Sequence, residues 1–312
     1  MICSVKEEVK KVVVGHEELI DSMIIALFSG GHILVEGVPG VAKTTAVNTL
    51  ARSLGFDFKR VQFTPDLLPG DIIGNEILDL KANEFRIKHG PVFTHLLLAD
   101  EINRAGPKVQ SALLEAMAER QVTIGEESFS LPEPFMVLAT ANPVEQEGTY
   151  ELPEASLDRF MMKVRVGYND FEEELTIMQR SADGAYEAVR QVLDAESFAR
   201  QKERLKSIHL DEEIKRYILS IVTATRDPGA HGLEDLKTYI DYGAGPRGSI
   251  DLYKASRAHA WLQERDFVTP ADVAAMAYPV LRHRILLNYH AVAADLDTDK
   301  VIRKILETIP AP

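Results

Sequence analysis

The chain has 312 residues, 46% of them apolar, enough for a sizeable buried core in one large or two modest domains. Its 35 basic and 48 acidic residues leave a formal charge of −13, which repels a phosphate backbone and sets aside general nucleic-acid binding. The single cysteine, Cys3, excludes an internal disulfide, and no apolar run approaches the length of a membrane span; with no basic segment and long apolar stretch of a secretory signal at the N-terminus, a reducing cytoplasm is the expected compartment.

In chain order, Leu19, Ile20, Met23, Ile24 and Leu27 recur at helical spacing until Gly30-Gly31 stops the helix. A strand is predicted at His32 to Glu36, then a glycine-containing loop and a helix from about Lys43. Further strands are predicted at Phe58 to Phe63, Leu96 to Ala99, Phe135 to Thr140 and Met161 to Val166. Short apolar runs alternating with helices are the pattern of an α/β fold with a parallel five-stranded sheet. Beyond Asp170 helices take over, at about Phe171 to Arg180, Ala195 to Ile208, Asp211 to Arg226, Ser249 to Glu264 and Pro270 to His283. A boundary near Tyr168 to Asp170 gives domains 1–168 and 169–312, and the glycine-rich stretch Gly229 to Gly248 reads as a long loop in the second.

The strongest chemical signal is Gly37-Val38-Pro39-Gly40-Val41-Ala42-Lys43-Thr44, followed by Thr45, between an apolar strand and a helix. Glycines let successive N–H groups point at a β-phosphate, and the helix amino end adds a favourable dipole. Lys43 neutralises β/γ oxygens and Thr44 can hold Mg²⁺. Ala42 stands where the general pattern has glycine; its methyl group demands an ordinary backbone conformation but keeps the N–H donor. A second apolar strand ends in Asp100-Glu101, where Asp100 can bind Mg²⁺ through its water shell and Glu101 can act as base on the attacking water. A third ends in Ala141-Asn142-Pro143; Asn142 is a candidate sensor of the γ-phosphate, although Asn-Pro is also an ordinary turn starter. Arg159, within Leu157-Asp158-Arg159-Phe160, is either a surface arginine paired with Asp158 or a finger for a neighbouring subunit's site.

The order of these motifs resembles that of AAA+ ATPases, and four stretches are similar to the MoxR family in particular: the loop 37–44 including Ala42, Gln62 to Pro69, Ala99 to Ala105, and Gly148 to Ala155. The resemblance is strong from Val13 to Phe160 and looser beyond. It implies a P-loop AAA+ nucleotide-binding core at 1–168, a smaller all-α lid domain at 169–312, and the cofactors ATP and Mg²⁺. It also implies a homo-oligomeric ring, usually a hexamer, with Arg159 completing the neighbour's site and Arg247 of Gly245-Pro246-Arg247 as a second sensor, unless that residue is only a loop arginine. By the same analogy Val14 and Gly15, with Val13, line the adenine pocket, though they could equally be core packing.

Two hairpins are expected as insertions, at Glu76 to Lys88 turning over Lys81 to Glu84 and at Gln121 to Leu131 turning at Gly125-Glu126-Glu127; by resemblance they face a pore or partner. The nine histidines show no zinc pattern, and no Gly-x-Ser-x-Gly elbow or cysteine nucleophile is present. The resemblance thus implies Mg²⁺-dependent ATP hydrolysis by a chaperone-like factor that remodels or matures a client protein, including metal or cofactor insertion, alongside proteins with a von Willebrand factor A domain. The alternatives are the ATPase subunit of a magnesium-chelatase-like complex and a nucleotide-gated scaffold with little turnover.

Overall fold

Residues buried on both faces of a sheet cannot alternate polar with apolar side chains, and three strands here have continuous apolar runs for that reason. The computed structural model describes residues 2–38, 40–80, 83–142 and 148–312. The chain divides into two compact units, one of residues 1–159 with 164–199 and the other of 160–163 with 200–312.

The first unit opens with α1 (Ile2–Lys10) and α2 (Glu17–Ser29), whose buried Leu19, Ile20, Met23, Ile24 and Leu27 form the expected stripe; Gly30 ends α2 in the left-handed region at φ 70°. Then follow β1 (Ile33–Gly37), α3 (Lys43–Leu54), β2 (Phe58–Gln62), α4 (Pro69–Ile73), β3 (Gly74–Asp79), β4 (Glu84–His89), β5 (Leu96–Asp100), α5 (Pro107–Glu119), β6 (Gln121–Ile124), β7 (Glu127–Ser130), β8 (Met136–Ala141), α6 (Glu154–Leu157), β9 (Met162–Val166) and α7 (Phe171–Ala182). Five of the strands make a parallel sheet in the order β2-β5-β8-β1-β9. The apolar strands β1, β5 and β8 lie at its centre, while β2, with Lys59, Arg60 and Gln62 exposed, is an edge. Because the pairs are parallel, Gly37, Asp100 and Ala141 end their strands on the same side of the sheet, where ligands of such folds bind.

Both expected hairpins are present. Leu78 faces Phe85 across β3–β4, and Lys81 and Ala82 of its turn lie outside the described residues. In β6–β7 the turn uses Gly125 at φ 61°.

The expected boundary at 168/169 falls inside the first unit, and side-chain contacts explain why. Asn169 Nδ2 donates to Val14 O at 3.0 Å, Arg180 Nη1 donates to Lys11 O at 3.0 Å, and Arg190 N donates to Glu8 Oε2 at 2.9 Å. Farther along, Val192 N donates to Ser53 O, and Phe198 packs its ring 4.4 Å from Phe28. The stretch 164–199 therefore wraps back onto the first unit.

After α8 (Ala195–Ser207), the second unit contains α9 (Glu212–Ala224), β10 (Ile240–Tyr242), α10 (Pro246–Leu262), α11 (Pro270–Leu281), β11 (Leu286–Leu287), α12 (Tyr289–Ala293) and α13 (Thr298–Thr308). The small antiparallel ribbon β10–β11 is added to its helices. Gly229 to Gly248 is not the long loop expected: it holds two 3₁₀ turns and β10, and α10 starts at Pro246 rather than Ser249, with Gly245 at the cap and proline in the first turn. Asp272 is fully buried among His259, Arg265 and Thr269. Burial alone would raise its carboxyl, but the hydrogen bonds from those three residues outweigh it and hold the group well below the usual range. Arg284 pins the segment 160–163 within this unit, donating to Phe160 O at 2.9 Å and to Asp251 Oδ2 at 2.6 Å.

Candidate functional site

After Gly37 the chain curls back into α3. Gly40 takes φ 87°, and Ala42 takes φ 53° and ψ 19°. The ordinary backbone conformation expected for Ala42 is therefore corrected: it is left-handed, at a cost of about 1–2 kcal/mol for a residue with a Cβ. The turn into the helix imposes it, since Ala42 caps α3 and its carbonyl accepts from Ala46 N at 2.9 Å. Among the described residues no side chain caps this helix end, which leaves its first N–H groups to an anion. A Cβ on Gly37 would lie 2.3 Å from Val166 O, so glycine is required where β9 passes.

Lys43 Nζ donates to Gly37 O at 2.8 Å, which turns the ammonium into the curl of the loop. Burial pushes its pKa down, opposed by the charges of Asp100 and Glu101, which places both acids within electrostatic reach.

At the end of β5, Asp100 Oδ1 accepts from the Thr140 hydroxyl at 2.6 Å, and Oδ2 accepts from Arg60. Glu101 is left-handed at φ 56°, with its N–H held by Thr140 Oγ1 at 2.8 Å. Its Oε2 accepts from Gln62 Nε2 at 2.7 Å and from Arg104 Nη1 at 3.0 Å, while Oε1 takes no bond among the described residues. Gly37, Gly40, Val41, Ala42, Lys43, Thr44, Thr45, Asp100, Glu101 and Asn142 line one cleft of roughly 360 Å³, joined by Arg60, Gln62 and Thr140. A cation, backbone donors and hard oxygen ligands on Thr44 and Asp100 meet here. That donor set suits a phosphate chain and Mg²⁺.

A second cleft of roughly 520 Å³ shares Gly40, Ala42 and Thr45 with the first, and Val14, Asn48, Arg52, Asn169 and Tyr186 extend it. The two clefts therefore adjoin at the start of α3. Val13 is buried as core, Val14 lines the second cleft, and Gly15 turns at φ 71° against Asn169 and Glu173. Val38 follows β1, whereas Pro39 and Pro143 lie outside the described residues.

Arg159 lines neither cleft. It is half-buried, and its guanidinium makes no hydrogen bond or ion pair among the described residues, Asp158 included. Arg247 belongs to the second unit, in the first turn of α10. Sequence reasoning missed Arg60, Gln62, Thr140, Asn48, Arg52 and Tyr186. For Gln62 the available signal was its place within a family-like stretch, but its partner Glu101 is 39 residues away.

Residues 32–162 match the model of an ATPase family associated with various cellular activities (AAA), and residues 234–305 match an AAA lid domain. The chain is 46% identical over 305 residues to Chaperone MoxR1 of Mycobacterium tuberculosis, covering 98% of this chain and 81% of that one. It belongs to the MoxR family of AAA+ ATPases. A crystal structure of a protein from Cytophaga hutchinsonii superposes on this MoxR chain with a TM-score of 0.94 at 47% identity, covering all of this chain and 94% of that one. Likeness to the magnesium-chelatase subunit ChlI-2 of Arabidopsis thaliana is weaker, at 30% identity over 61% of the MoxR chain and 43% of the subunit.

Proposed function

We propose that this MoxR protein binds ATP with Mg²⁺ across the two clefts and hydrolyses it. The observation that carries the reading is the convergence of Lys43, Thr44, Asp100, Glu101 and Asn142 on one cleft at the carboxyl ends of three parallel strands. The loop's N–H groups and Lys43 hold the phosphate chain. Thr44, and Asp100 through the water shell, would hold Mg²⁺, which would supply charge neutralisation at the terminal phosphate. Glu101 Oε1 accepts a proton from water as the water oxygen attacks the γ-phosphorus. The bond from that phosphorus to the bridging oxygen breaks, and ADP leaves with the electron pair. Asn142, at the tip of β8, orients the water. The wider cleft, from Val14 to Tyr186, takes the base.

Arg159 acts as a finger in a neighbouring copy's site, within a ring of six subunits. Its half-buried guanidinium, with no ion-pair partner among the described residues, supports that role. Arg247 acts as a second sensor. The work done is remodelling or maturation of a client protein in the cytoplasm, including metal or cofactor insertion with a von Willebrand factor A domain partner; similarity to a protein named as a chaperone supports the client. Calorimetry with ATP and the Lys43→Ala variant tests the binding step. Loss of the lysine is expected to weaken binding by about 1.5–3 kcal/mol, roughly ten- to 150-fold; wild-type affinity would overturn the phosphate-loop assignment.

A further inference from the structure

Strand β2 is an exposed edge, yet two of its polar side chains, on the same face two residues apart, turn toward the acids of β5. Arg60 donates to Asp100 Oδ2 from Nη2 at 2.7 Å and from Nε at 3.1 Å. The same Nη2 reaches Gln62 Oε1 at 2.8 Å, which fixes the plane of the guanidinium. On the other carboxylate oxygen, Oδ1 accepts from Thr140 at 2.6 Å. A carboxylate offers about four lone-pair positions, and these donors take three of them, including both on Oδ2. Arg60 also lines the cleft that contains Lys43 and Thr44.

A divalent ion brought to Asp100, directly or through one of its waters, needs the same lone pairs and carries the same sign of charge as the guanidinium. The two therefore compete. We propose that Arg60 is a built-in competitor of the metal ion at Asp100, setting how much Mg²⁺ the site requires; this rests on the nucleotide-site reading above. A strand pin alone would not require the donor to lie in the cleft or to take both positions of the oxygen that faces it. Arg60 is 47% exposed, so water screens the pair and the competition is modest. The arginine raises the Mg²⁺ requirement without closing the site.

The test uses the full-length protein and a fluorescent ADP analogue, whose binding is followed by anisotropy as Mg²⁺ is added from an EDTA-buffered start. Arg60→Gln is expected to lower the Mg²⁺ midpoint about two- to fivefold, the scale of one partly exposed ion pair, once each midpoint is referred to that protein's own analogue affinity in EDTA. Arg60→Thr, a strand-favouring replacement, repeats the measurement should the glutamine variant not fold. Lys59→Gln removes a neighbouring positive charge outside the cleft and is expected to leave the midpoint in place. A midpoint unchanged or raised without Arg60, or lowered equally by Lys59→Gln, would overturn the competition while leaving the nucleotide site standing. Failure of the wild-type protein to bind the analogue at any Mg²⁺ concentration would overturn the nucleotide-site reading and this inference with it.

Discussion

Thr140 donates its hydroxyl hydrogen to Asp100 Oδ1 at 2.6 Å and, with the same oxygen, accepts the backbone N–H of Glu101 at 2.8 Å. One buried hydroxyl at the end of β8 thus orients both acids at the end of β5, and it does so across the sheet rather than along the chain. The acid that binds metal and the acid that acts as base in the proposed reaction share one anchor.

Replacement of Thr140 by valine keeps the shape and removes the hydroxyl. Two donor–acceptor contacts go with it, and the Glu101 N–H loses its partner. A stability loss of about 1–3 kcal/mol is expected from the unpaired group. Turnover is expected to fall more than nucleotide affinity, because the loop and Lys43 remain. Steady-state kinetics beside calorimetric binding checks this, and equal losses in both would show that Thr140 serves the fold alone.

Ala42 stands in left-handed backbone where only glycine is unstrained. Ala42→Gly removes the Cβ conflict and adds freedom to the unfolded chain, two effects of opposite sign. The strain is the larger, so a net gain of roughly 0.5–1 kcal/mol is expected. Urea unfolding measures it; a less stable glycine variant would mean that the loop tolerates the methyl group without strain.

His32 is buried, with Nδ1 accepting from Val137 N at 3.0 Å and Nε2 facing Met117 O at 3.2 Å, so the ring is neutral with its proton on Nε2. Burial pushes its pKa down to about 4, and the nearby Arg120 charge adds to this. Its folded pKa lies below the unfolded value near 6.5, so the unfolded chain binds the proton first as pH falls. Stability is therefore complete above about pH 6.5 and is lost toward pH 4, by about 2–3 kcal/mol at pH 4.5 from this group. His32→Gln can keep one donor and one acceptor without titrating. Urea unfolding at pH 7 and 4.5 is expected to give a smaller loss in the variant; equal losses would remove His32 from the acid response.

Arg159→Ala and Glu101→Gln are each expected to lower turnover by a factor of about 10²–10⁴ or more. If Arg159 serves a neighbour's site, mixing the two variants creates some interfaces with an intact Glu101 on one side and an intact Arg159 on the other. Partial recovery of phosphate release is expected; none at any ratio would place Arg159 outside shared sites.

The central strands β1, β5 and β8 were legible because a doubly covered parallel strand is a continuous apolar run. The loop 37–44 was legible because its chemistry is contiguous in the chain. Arg60 and Gln62 were not, since their meaning comes from the register that sets Gln62 opposite Asp100. Ala42 was misread because the backbone angle is imposed by closure of the turn into α3, which residue type does not reveal. Asn169 and Tyr186 reach the second cleft only because 164–199 returns to the first unit, through contacts such as Asn169 to Val14 that span 155 residues. Among the described side chains of the short helix α1, Val5 and Val9 are the buried apolar pair, too little periodicity to read.

Hydrolysis of ATP at this site is measured by steady-state phosphate release from Mg²⁺-ATP across a protein concentration series, with mass followed by light scattering and Glu101→Gln run in parallel. The wild-type protein is expected to release phosphate with a specific activity that rises as subunits assemble, and the variant to lose nearly all of it. Nucleotide binding without release in the assembled wild-type protein, or release undiminished in Glu101→Gln, would contradict hydrolysis at this site.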